Sequence, residues 1–331
     1  MTILAAEVKF YKSAEVSDAI TNGGLMSAIQ SVSNVSENVF PSVPLAERTA
    51  GSTKYRKLFA KIASVSNETL QNSKIYLTQP SPGDDVVTIF AATQTDVQDD
   101  ITGSEDHFGS GSLNASVLAG VTSIDVLVED DSLDRIFRIG ETIRISDQAT
   151  VGGAGNEEYR ELTGVSYVGD VASLSFASGL ANPYDSSDSY VSSGVDAGNI
   201  VGSFDGFVVT SSAGAYDDSG SPVAVDSIAG IEDTITLTFT SATAFTAVGA
   251  NAGALGSGTL GSDFSPNNAD FGEPYFTLLS AGFSGTFAAS DTIVFNTHPA
   301  SFGIWYKRTV PSGAAALSGN TVRTMVYGEN V

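Results

Sequence analysis

Two histidines, no cysteine and several short runs of carboxylates are the side chains of this 331-residue sequence that could carry chemistry. His107 lies in a polar stretch and His298 precedes Pro299, and neither has a local partner motif of the kind used in general acid–base catalysis. Without thiolates or clustered histidines the ligand set of a zinc centre is missing. The patterns G-x-S-x-G, GxxxxGK[ST] and HExxH do not occur, and the Gly-rich run from Gly253 to Gly261 has no following lysine to help cradle a phosphate. These side chains predict a protein that is not an enzyme and takes no organic cofactor. Carboxylate clusters remain, and their hard oxygens suit Ca²⁺. They are Asp84-Asp85, Asp96 with Asp99-Asp100, Asp185 with Asp188, and the densest, Glu129, Asp130 and Asp131 with Asp134. None has EF-hand spacing. The last group is the candidate calcium site, and solvated loop carboxylates are the alternative reading.

Charge is unevenly distributed. The chain carries 15 Lys and Arg against 38 Asp and Glu, a formal net charge of −23. No Lys or Arg occurs between Glu161 and Tyr306, whereas Asp and Glu recur throughout that stretch. Such a surface repels nucleic acid and anionic membranes. It also serves solubility, particularly in a saline habitat. Five cations (Arg48, Lys54, Arg56, Lys57, Lys61) crowd together near the N-terminus with Tyr55 and Phe59 among them. A patch of this kind can meet an acidic neighbouring subunit, stay solvated, or stack and neutralise a nucleic-acid strand. In so acidic a chain the subunit contact is the favoured reading. Trp305-Tyr306-Lys307-Arg308 is the second basic-aromatic cluster and holds the lone tryptophan. The expected interface is therefore Arg48, Lys54, Tyr55, Arg56, Lys57, Lys61, Trp305, Lys307 and Arg308. Charge reversal at Lys54, Arg56 and Lys57 is expected to weaken assembly and leave the fold intact.

The elements that must position these residues read as strands. Hydrophobic content is 42% and charged content only 16%, with Gly, Ser, Thr, Ala and Val filling the difference. That composition predicts an all-β fold of two or three β-sandwich or small-barrel domains with little helix. KYRKLFAKI (Lys54 to Ile62) alternates as a strand, followed by Lys74–Thr78 and Val86–Phe90, the three forming one antiparallel sheet. A short helix is expected within Glu15–Gln30 and one helical turn at Pro44–Arg48. Gly169-Asp170 reads as a two-residue hairpin turn. DTITLTF (Asp233 to Phe239) places Ile235, Leu237 and Phe239 on one buried face, while Ala250–Ser265 reads as a loop. The expected domains are an N-terminal β unit with the basic strand (1–112), a barrel-like unit (113–195) and an acidic sandwich (196–331).

Three groups of segments, taken in order, resemble a family of tailed-phage virion proteins from phages with Mu-like structural genes. The first is FPSVPLAERTAGSTKYRKLFAKI (Phe40 to Ile62) with LTQPSPGDDVVTIFAATQTD (Leu77 to Asp96). The second is FRIGETIRISD (Phe137 to Asp147) with NEEYRELTGV (Asn156 to Val165). The third is TFTSATAFTAVG (Thr238 to Gly249), DFGEPYFTL (Asp270 to Leu278) and IWYKRTVPSGAAALSGN (Ile304 to Asn320). The resemblance implies a virion structural protein and brings no catalytic residues. The favoured station is a self-associating tail component (tube, baseplate or junction), a homo-oligomer that also contacts other virion proteins. A capsid decoration protein and a host-surface adhesin or fibre module are the alternatives. An acidic wall lets DNA pass without sticking. The first residues show no basic segment before an apolar run, and no window is apolar enough to span a membrane, so assembly in the host cytoplasm is expected.

Overall fold

A computed structural model describes residues 2–128 and 135–330. The fold is all-β, as the composition implies. The N-terminal part supplies β1 (Val8–Glu15), β2 (Gly23–Ser31), the short helix α1 (Leu45–Ala50), β3 (Ser52–Ile62), β4 (Leu70–Leu77) and β5 (Val86–Ala92). Next come β6 (Ser110–Leu113), β7 (Ser123–Leu127), β8 (Thr142–Ser146), β9 (Glu157–Val168), β10 (Val171–Phe176) and β11 (Tyr190–Ile200). The cation-free part holds β12 (Ser203–Thr210), β13 (Gly214–Tyr216), β14 (Ala224–Val225), β15 (Asp233–Phe239), β16 (Ala244–Gly249) and β17 (Gly253–Thr259). It continues with β18 (Asn267–Asn268), β19 (Glu273–Pro274), β20 (Phe276–Thr277), β21 (Phe283–Gly285) and β22 (Thr292–His298). β23 (Ser301–Val310) and β24 (Thr324–Asn330) close the chain.

Three bodies result. In the first, the sheet β2-β1-β3-β23-β5 packs on β24, β4 and the second half of β11. Leu58, Ala60, Ile75, Leu77, Ile89, Val195, Ile304 and Tyr306 form the core between them. The second body is a closed barrel of six strands, β11-β6-β7-β10-β9-β8, sealed where β8 pairs β11. The third is the sheet β12-β22-β15-β16-β17, covered on one side by the short ladders β13–β21 and β14–β20 over a phenylalanine-rich core.

β11 serves two bodies. Its residues Tyr190 to Ser193 pair with β8 in the barrel, and Gly194 to Ile200 pair with β4. At the changeover, a Cβ on Gly194 would lie 2.5 Å from the Tyr76 ring. Glycine therefore lets the strand cross the aromatic. Tyr159 of the barrel in turn packs between Tyr76 and Tyr327, with ring centroids 6.1 and 4.9 Å away.

Several expectations hold. β15 buries Ile235, Leu237 and Phe239 and turns its threonines outward. β9 and β10 form the hairpin at Gly169-Asp170, with Gly169 at φ +55°. α1 occupies the place of the expected helical turn. Others need correction. Glu15–Gln30 contains no helix; it spans the end of β1 and most of β2, an antiparallel pair joined through Gly23 at φ +113°. Residues 253–259, read as loop, are strand β17, whose small side chains form a sheet edge. The strands β3, β4 and β5 do not share one sheet. β23, some 200 residues later, inserts between β3 and β5, and β4 lies in the opposing layer. Residues 301–330 thus belong with the N-terminal strands and not with the acidic sandwich, because their alternating apolar side chains complete the first core.

Ending the chain at residue 300 tests this arrangement. Hydrogen exchange should show β3 and β5 losing protection while β15 and β22 keep theirs.

Candidate functional site

The basic cluster, expected as a contact surface, lies mainly on β3 and β23. β3 lies in the middle of its sheet, so β1 and β23 flank both its edges. Register sets Lys57 opposite Trp305, Arg56 opposite Tyr306 and Lys54 opposite Arg308. Lys57 and Trp305 are fully buried. The Lys57 ammonium donates to the Gly24 carbonyl at 2.8 Å and the Asp96 carbonyl at 2.9 Å, and pairs with Asp96 Oδ1 at 2.7 Å. Two of its donors are matched by carbonyls, and its charge is met by the carboxylate. The other Asp96 oxygen accepts Trp305 Nε1 at 2.8 Å. Burial holds the Lys57 pKa below its ordinary value, with Asp96 pulling the other way. A Cβ on Gly23 would sit 2.8 Å from the indole, so glycine is required where β2 starts.

On the opposite face, Lys54 pairs with Asp18 at 2.9 Å and Glu47 at 2.8 Å. Arg56 reaches Asp18 at 2.6 Å and donates to the Ser17 carbonyl at 2.7 Å. Arg56 and Arg308 both lie against the Phe40 ring, at 5.8 and 4.7 Å, and Arg308 donates to the Pro41 carbonyl at 2.9 Å. Arg48 donates to the Ala314 carbonyl at 3.5 Å. Tyr55 stands edge-on to Phe90, and Lys307 is half-buried on β23 between Tyr55 and Thr88. The expected intermolecular interface is thus corrected. Arg56, Lys57, Lys61, Trp305 and Arg308 are covered by the chain itself. Arg56 and Lys57 pair with acids of the same body, and reversing Lys57 would set a carboxylate against Asp96.

Lys61 differs from the others. It has no exposed surface, and its ammonium meets the Gly230 carbonyl at 3.3 Å and the Phe271 ring at 5.4 Å. Burial brings its pKa down to about 8, against the attraction of Asp226. It marks the seam where the first body meets the acidic one. Along this seam runs a cleft of about 450 Å³, lined by Met26, Gln94, Glu232, Asp270, Phe271 and Tyr275 among others. The cleft lining contains no cation. Its Glu232 is engaged by His298, whose Nδ1 lies 2.9 Å from Oε2, while Nε2 lies 3.3 Å from Asp205 Oδ2. Burial depresses the His298 pKa, but Glu232 and Asp205 outweigh it and the net shift is upward. His107 is buried against Phe90, with Nδ1 2.9 Å from Thr88 Oγ1.

The acidic clusters fall into place as caps. Asp84 accepts the Ala315 amide at 2.7 Å, Asp100 the Val97 amide at 2.9 Å and Asp185 the Ser187 amide at 2.9 Å. Asp85 accepts from Ser81 and Asn320, both at 2.6 Å. The calcium candidate Glu129, Asp130, Asp131 and Asp134 lies outside the described residues. Among the described residues no three His, Asp or Glu side chains gather to hold a metal ion. The residue that sequence reasoning missed is Asp96, grouped there with Asp99 and Asp100. Nothing local marks it, because its partners lie 39 residues before it and 209 after it. The chain matches no protein-family model, no curated protein and no solved structure.

Two outcomes are expected. Asp96→Ala leaves the Lys57 ammonium buried and unpaired, which should cost about 3–5 kcal/mol in urea unfolding. For Lys61, the folded pKa of about 8 lies below the ordinary 10.5. The unfolded chain therefore binds the extra proton in that window, and stability rises with pH from about 8 upward. Lys61→Met should flatten that rise, leaving the part due to Lys57, and should gain about 1–3 kcal/mol at neutral pH. Urea titrations between about pH 7 and 9.5 check both, below the range where tyrosines titrate.

Proposed function

We propose that this chain is a structural subunit of a tailed-phage virion. In this reading it is a self-associating tail component of tube, baseplate or junction, acting through contacts with its own copies and with other virion proteins. The observation that carries the reading is the direction in which the charges face. The basic strand and the return strand spend Lys54, Arg56, Lys57 and Arg308 inside the first body and Lys61 at its seam with the acidic one. The acidic body has no Lys or Arg at all. What faces solvent is more uniformly anionic than the net charge of −23 conveys. Phosphate attraction, the sequence-independent source of DNA binding, is absent from such a surface. A conduit wall for DNA needs that property. The segments that resemble phage virion proteins point the same way.

The test is electron microscopy with mass measurement on the full chain, at low salt and at about 0.15 M, where the Debye length is about 8 Å. Salt should promote rings or tubes by screening self-repulsion. A single monomeric species at every salt concentration, or retention on double-stranded DNA at about 0.15 M salt, would overturn the reading.

A further inference from the structure

We propose that the outward face of the sheet β12-β22-β15-β16-β17 is the surface on which a second copy of this chain docks, face to face. The inference rests on the self-association proposed above and names one contact within it.

Register defines the face. One row across the sheet runs Val208, Val294, Thr236, Val248 and Ala254. The next runs Thr210, Thr292, Thr238, Thr246 and Ser257. On the central strand, the alternate residues Ile235, Leu237 and Phe239 are buried, so the threonines point away from the core. Val208 is 54% exposed and Val248 50%, so none of the described residues covers the face. Neither row contains a charged residue. Charges stand only at the ends, Asp205 with His298 at one and Asp291 at the other.

An exposed sheet face normally turns polar and charged side chains to water. Here the face is neutral and partly apolar, on a body whose residues include acids and no Lys or Arg. Two copies meeting elsewhere on that body bring carboxylates together, and like charges across an interface cost several kcal/mol. Two copies meeting on this face bury valines and threonine methyls. Each threonine hydroxyl can donate and accept, so the surface is complementary to itself. That is the requirement of a two-fold contact. Five strands at about 4.8 Å and seven residues at about 3.3 Å give roughly 550 Å² per copy. The pair buries about 1,100 Å², just above the size at which specific interfaces begin.

The experiment is sedimentation of the full chain at about 0.15 M salt, with Thr236→Glu and Val248→Glu on the face and Val168→Glu, on the barrel hairpin, as a charge-matched control. The wild type and V168E should self-associate alike. The face variants should weaken association by about tenfold or more. Because the chain has no cysteine, Thr236→Cys supplies a second readout that needs no added charge. Under oxidation it should give a covalent dimer, and Val168→Cys should not. If the wild type associates while the face variants associate equally well and Thr236→Cys stays monomeric, this face is overturned and the self-associating subunit stands. If the wild type is monomeric at every salt concentration, both fail together.

Discussion

The first body is closed by one carboxylate shared between two distant strands. Asp96 gives one oxygen to the ammonium of Lys57 on β3, the other to the indole of Trp305 on β23, and its carbonyl to Lys57 and the Gly24 amide. A buried ammonium is costly unless its charge and all its donors are met. Here Gly24 at the start of β2 and Asp96 after β5 supply the carbonyls and the countercharge of Lys57, and Asp96 also anchors Trp305 of β23. The pair fixes the register of β3 against β23, and that register in turn sets Lys54, Arg56 and Arg308 toward Asp18, Glu47 and Phe40.

The acidic body is held differently. With no Lys or Arg available, its carboxylates find backbone amides. Asp233 accepts the Thr234, Asn251 and Ala252 amides, Asp226 those of Ile228 and Ala229, and Asp263 that of Ser280. The hydrogen bonds from Ser280 hold the Asp263 pKa below its ordinary value. Cohesion comes from rings: Phe239 stacks on Phe287 at 3.8 Å, and Phe207 on Phe295 at 5.4 Å. A fold of this kind tolerates a high density of like charge, because its acids neutralise turn dipoles locally and its core asks nothing of them.

Local pattern made much of this fold legible. The alternation in DTITLTF, the turn at Gly169-Asp170 and the basic strand itself are period-2 and turn signals within a few residues of one another. What stayed hidden was long-range. The alternation of Lys54 to Ile62 reveals two faces but not whether either is covered, and a lysine on a central strand looks the same in sequence as one on an edge. β23 reads as a strand, yet no local feature of it names β3 and β5 as its neighbours. Asp96 looked like one of several solvated acids because its ammonium partner is remote. Small residues misled as well: Gly253 to Thr259 have the composition of a loop, but pairing with β16 makes them a strand.

The insertion of β23 also has a temporal side. During synthesis β3 and β5 leave the ribosome early, but the strand that joins them follows some 200 residues later, about 10–40 s at ordinary elongation rates of about 5–20 residues per second. The barrel and the acidic body, by contrast, can mature as soon as they emerge, since their core residues are nearly contiguous. For that interval the first sheet has two unsatisfied edges facing each other across a gap of one strand. Lys54, Arg56 and Lys57 of β3, balanced by Asp18, Glu47 and Asp96 once folding is complete, are then in water, and charge on an open edge is what keeps such a strand from pairing with the wrong chain. The residues that neutralise the finished interior thus act earlier as gatekeepers of the nascent one.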